Sequence, residues 1–152
     1  MTQKDETTGP GEGDAAAFNK RGIANFSTGN FKQAIADYDE AVRLDPGHAE
    51  AFHNRGVVHG QLGNFKQAIA DYDEAIRLSP ELARAYVKRG VAYGQMDQIE
   101  RAVSDLGRAI EIEPEFAEAH HNRGVAHARM GRYPQAIADY DEAIRLDLTL
   151  AR

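Results

Sequence analysis

The chain has 152 residues, 42% of them hydrophobic, with no cysteine and a formal net charge of -6. That apolar content suffices for a continuous core and argues against disorder. The acidic balance, without any run of Lys or Arg, excludes the concentrated basic face that nucleic acid requires, and the missing cysteines exclude disulfides, thiolate zinc sites and a cysteine nucleophile.

The first fourteen residues, MTQKDETTGPGEGD, are polar and crowd Gly9, Pro10, Gly11 and Gly13 together, which predicts a flexible tail over 1–14. GPGEG lacks the lysine of a phosphate loop and follows no strand, so it reads as linker. The tail holds no apolar signal-peptide core, and no later segment approaches a membrane span; a soluble, cytoplasmic chain is the expectation. Asp14 stands before an Ala-rich run, where its carboxylate can cap the first amides of a helix, so the folded domain is expected over 15–152.

Beyond that point the chain repeats itself. GNFKQAIADYDEA occurs at 29–41 and again at 63–75, and GRYPQAIADYDEA at 131–143. The pairs Arg21-Gly22, Arg55-Gly56, Arg89-Gly90 and Arg123-Gly124 recur every 34 residues and reveal a third, diverged unit, giving repeats at 15–48, 49–82, 83–116 and 117–150. A fixed period of this length signals a stack of supersecondary units. Within 49–82, apolar or small residues at Phe52, Gly56, His59 and Leu62, then at Phe65, Ala68, Ile69, Tyr72, Ala75 and Ile76, fall three and four apart and predict two amphipathic helices. Gly63 sits between them, where a left-handed residue can end a helix, and Pro80 follows the second, where the helix cannot continue.

This pattern resembles the tetratricopeptide repeat family. The family's small residues are matched by Gly22, Gly56, Gly90 and Gly124 at position eight and by Ala34, Ala68, Ala102 and Ala136 at position twenty. Its bulky residue at position four is matched by Phe18, Phe52 and Tyr86, its aromatic at twenty-four by Tyr38, Tyr72 and Tyr140, and its proline at thirty-two by Pro46, Pro80 and Pro114, while Asn25, His59 and His127 replace its aromatic at eleven. The resemblance implies an all-α fold, a right-handed α-solenoid of four helix-turn-helix hairpins with eight helices. Arginine at position seven departs from the usual large apolar residue. Each such arginine has an aspartate sixteen residues on (Asp37, Asp71, Asp105, Asp139), which predicts a repeated, partly buried ion pair. The third unit departs further, with Asp97 at the turn glycine, Leu106 for tyrosine and Gly107 inside its second helix.

The resemblance also implies a concave groove lined by the first helices and faced by positions two, five, six, nine, twelve and thirteen. Position nine is an apolar stripe, Ile23, Val57, Val91 and Val125, open to the alternative that it is inter-helix packing; position twelve includes Phe26 and Gly60. Flanking them are Asn19, His53, Asn54, Arg84, Val87, Lys88, His121 and Asn122. An apolar floor with polar flanks suits a peptide segment of a partner, so the expectation is a non-catalytic protein-binding scaffold without a cofactor. One alternative is a structural or self-assembling module of a larger protein. Another is the carboxylate clamp of some family members, matched by Asn54, Arg84 and Lys88 but not by Asn19 and Ile23 in the first unit.

Catalytic and metal readings find little support. His120 and His127 lie about 10 Å apart along a helix, too far to share an ion, and the Asp-Tyr-Asp-Glu clusters repeat with the unit as solvated faces, with Asp39, Glu40 and Arg43 expected to pair locally. At the last unit Leu148 replaces the proline, so the final helix can continue and align Tyr140, Ala143, Ile144, Leu148 and Ala151 in an apolar stripe. That stripe predicts a homodimer through Tyr140, Ile144 and Leu148 about a two-fold axis.

Overall fold

The computed structural model describes residues 12–150, which form eight helices and no strand: α1 (Glu12–Ser27), α2 (Phe31–Leu44), α3 (Ala49–Gln61), α4 (Phe65–Leu78), α5 (Ala83–Gln95), α6 (Ile99–Ile112), α7 (Ala117–Arg129) and α8 (Tyr133–Leu150). Consecutive helices pair into four hairpins, and the hairpins stack in chain order through α2 on α3, α4 on α5 and α6 on α7. The first helices also touch one another in sequence, α1 with α3, α3 with α5 and α5 with α7. Such an α-solenoid has no single centre; each hairpin buries its apolar faces against its neighbours.

The first helix begins earlier than the sequence predicts. Glu12, Gly13 and Asp14 are helical, so Asp14 lies in the first turn, where its charge complements the amide-rich end, and it is not the cap. The remainder of the expected tail, 1–11, lies outside the described residues, as does Ala151.

Inside each hairpin, a glycine on the first helix admits a large side chain from the second. A Cβ on Gly56 would stand 2.7 Å from Tyr72 Cε1 and 3.2 Å from the Ala68 carbonyl oxygen, and Gly124 meets Tyr140 in the same way. In the third hairpin Gly90 faces Leu106 instead. Gly29, Gly63 and Gly131 take φ of 79°, 78° and 73° at the turns, and Asp97 is forced to 62° at the equivalent place.

The predicted ion pairs form in all four hairpins: Arg21–Asp37 at 2.6 Å, Arg55–Asp71 and Arg89–Asp105 at 2.7 Å, and Arg123–Asp139 at 2.8 Å. Their role is wider than the spacing suggests. Arg55 and Arg89 each extend Nη1 to a second carboxylate on the preceding hairpin, Asp39 and Asp73, at 2.9 Å. Asp39 therefore joins two hairpins and does not pair within its own helix, whereas Glu40 and Arg43 do pair locally. The last helix runs 18 residues against 14 for α2, α4 and α6, as the loss of the proline at Leu148 allows.

Candidate functional site

The side of the stack formed by α1, α3, α5 and α7 carries the sequence-predicted site. Three of the four residues at position nine reach solvent: Ile23 is 44% exposed, Val91 37% and Val125 39%. Val57 is half-buried and packs on the Ala68, Tyr72 and Ala92 cluster. Two clefts open between consecutive first helices. One, of about 150 Å3, lies between α5 and α7, with Val91, Val125 and Ile99 as its apolar wall and Asn122, Gln95 and Arg129 at its edge. The other, of about 260 Å3, lies between α3 and α5, with Val57, Gly60 and Phe65 on one side and Val91 and Lys88 on the other. Val91 and Gln95 belong to both. Gly60 and Gly94 leave these clefts open, because a larger side chain at position twelve would fill them.

Position five does not face the groove in the first three hairpins. Val87 is fully buried, in a core with Leu106 and Ala109 that Ala119 of the next hairpin closes. His53 is 4% exposed, its ring 5.6 Å from that of Tyr72, and Asn19 is buried and accepts a hydrogen bond from Asn54 Nδ2 at 3.0 Å. These three are removed from the set of accessible site residues. His121 makes the same ring contact, 5.7 Å from Tyr140, yet it is exposed. Position five is thus closed by the following hairpin, and in the fourth hairpin none of the described residues follows. Phe26 stacks on Phe31 at 5.5 Å and belongs largely to the core of the first hairpin.

The polar flanks are already engaged within the chain. Arg84 Nη2 donates to both oxygens of Glu50 at 2.7 Å, and Lys88 Nζ pairs with Glu118 at 3.3 Å. Arg129 donates to the Gly94 carbonyl at 2.8 Å and pairs with Asp97 at 3.1 Å. Burial pushes the His53 imidazole down to about 4, with the Arg84 and Lys88 charges adding to the effect. It is neutral at physiological pH. Among the described residues no cluster of His, Asp or Glu is arranged to hold a metal ion, and no helix is long and apolar enough to cross a membrane.

Family models for the TPR repeat match residues 22–63, 61–97 and 95–131, and one for the tetratricopeptide repeat matches 117–149. The chain belongs to the tetratricopeptide repeat family. Among solved structures it is similar to MamA, with a TM-score of 0.83 and 26% identity over 91% of this chain and 81% of that one. It is also similar to the first TPR of Spaghetti (RPAP3), bound there to the HSP90 peptide SRMEEVD, with a TM-score of 0.77 and 26% identity over 79% of this chain and 95% of that one. A thermophilic TPR protein of Thermus thermophilus, TTC0263, shares the fold at 21% identity, with a TM-score of 0.78 over 87% of this chain and 74% of that one. None of the curated proteins matches by sequence.

Proposed function

We propose that the chain is a non-catalytic scaffold that holds a peptide segment of a partner protein along α3, α5 and α7. The observation that carries this reading is the pair of clefts one repeat apart, sharing Val91 and floored by small or apolar residues. Adjacent packed helices lie about 8–10 Å apart, and a chain in the polyproline II conformation rises about 3.1 Å per residue with about three residues per turn, so apolar residues at i and i+3 of such an extended peptide would share one face and reach both clefts. Gln95, Asn122 and Asn54 can then serve its backbone. The peptide held by the Spaghetti domain supports a peptide as the ligand class.

A carboxylate clamp fits less well. Arg84 and Lys88, the two clamp cations that this chain supplies, are opposed by Glu50 and Glu118, and a chain-terminal carboxylate would have to displace them. Selection from a displayed library of extended peptides tests the groove reading. Binders with apolar residues three apart are expected to bind wild type and to be lost in Val91→Glu, which changes an exposed residue and leaves helicity intact. Equal binding by that variant rejects the site.

A second reading, self-association, is favoured by the exposure of Ile144 and Leu148 at 58% and 63% on the last helix. Tyr140, the third residue of the expected dimer contact, is half-buried against Gly124 and contributes less.

A further inference from the structure

The first and last described helices, α1 and α8, each expose a face whose counterpart inside the stack is buried. On α1, Ala17 and Ala24 are exposed, whereas their counterparts one unit later, Ala51 and Val58, are fully buried, Val58 against Ala34 and Tyr38 of the preceding hairpin. On α8, Ile144 is 58% exposed, whereas its counterpart Ile110 packs into the core that Ala119 closes. Beside Ile144 a cleft of about 500 Å3, lined by His121, Tyr140 and Ala143, occupies the place filled elsewhere by the next hairpin.

The charges at the two ends match in the same register. Arg55 and Arg89 at position seven each hold one carboxylate of their own hairpin and one of the hairpin before, Asp71 with Asp39 and Asp105 with Asp73. Arg21 holds Asp37 and has no second carboxylate among the described residues. Asp141, which stands where Asp39 and Asp73 stand in their units, is exposed and forms no ion pair among the described residues. The helix lengths agree as well. α8 is extended at its C-terminal end and α1 at its N-terminal end, the ends that a short loop joins in the interior, so the two extensions would lie side by side.

We infer that a second copy of this chain docks head to tail, its α1 face seated on α8, with Arg21 of one copy bridging Asp37 of its own chain and Asp141 of the other. This rests on the self-association reading and is independent of the groove. Because the contact uses two different faces, it repeats without closing and builds open-ended rods in which the peptide groove continues from copy to copy. A two-fold pairing of α8 on α8 would leave the α1 face and Arg21 unused.

Two exposed-site variants test the geometry by sedimentation, with circular dichroism reporting that each remains folded. Ala24→Glu blocks the α1 face and Ile144→Lys blocks the α8 face. Wild type is expected to grow with concentration past the mass of a dimer, and each variant alone to remain monomeric. An equimolar mixture is expected to form a one-to-one dimer that grows no further, since each variant retains the half that the other has lost. A monomeric wild type at every concentration rejects self-association altogether. Dimers of Ala24→Glu alone, with none in Ile144→Lys, overturn the head-to-tail arrangement in favour of a two-fold contact.

Discussion

Arg89 on α5 and Asp73 on α4 are joined by a 2.9 Å bond from Nη1, so a side chain that anchors the third hairpin internally also ties it to the second. The fourth hairpin lacks this tie. Gly107 occupies the corresponding place, with its missing Cβ 3.8 Å from Arg123 Nη1. Gly107→Asp is expected to raise stability by roughly 0.5–1 kcal/mol, from helix propensity and a partly exposed ion pair together. The gain in urea midpoint should shrink in an Arg123→Gln background. Equal gains in both backgrounds would mean that no bridge forms.

Two helical glycines should respond to alanine with opposite sign. Gly107→Ala adds a methyl in ordinary contact distance and removes a helix-interior glycine, so about 1 kcal/mol of stabilisation is expected. Gly56→Ala gains the same propensity but drives Cβ to 2.7 Å from Tyr72 and 3.2 Å from a backbone oxygen, and overpacking of this kind costs about 1–3 kcal/mol. Thermal unfolding of the two variants reads the signs directly.

The third hairpin is expected to open first. Asp97 holds a left-handed φ of 62° that costs a non-glycine residue more than glycine, and Gly107 weakens α6. Amide exchange in α6 should therefore precede exchange in α4, and Asp97→Gly should slow it. Earlier exchange in α4 would contradict this account.

Acid should loosen the stack through His53. Its folded pKa, about 4, lies below the ordinary value of 6.5, so the folded state holds fewer protons than the unfolded chain between these values. The stability associated with neutral His53 is full above pH 6.5 and is lost as pH falls towards 4, by up to about 3 kcal/mol. His53→Gln should flatten the stability profile in that window. An unchanged slope would assign the acid sensitivity elsewhere.

The period of 34, the helix pairs and the arginine–aspartate spacing of sixteen were legible in the sequence because each depends on contacts inside one hairpin, and every hairpin repeats them. The glycine at position eight and the tyrosine sixteen residues on, as in Gly56 and Tyr72, form such a contact, so their pairing follows from the repeat alone. Burial at position five does not follow from it. His53 and His121 make the same ring contact within their own hairpins, yet one is enclosed and the other exposed, because enclosure is supplied by the next hairpin along. The same holds for Val87, which patterning assigns to the groove and packing assigns to the core. The second bond of Arg55 and the neutralisation of Arg84 and Lys88 by Glu50 and Glu118 likewise depend on how hairpins are offset. That offset is set by the side chains filling the space between hairpins, which no single unit's sequence contains.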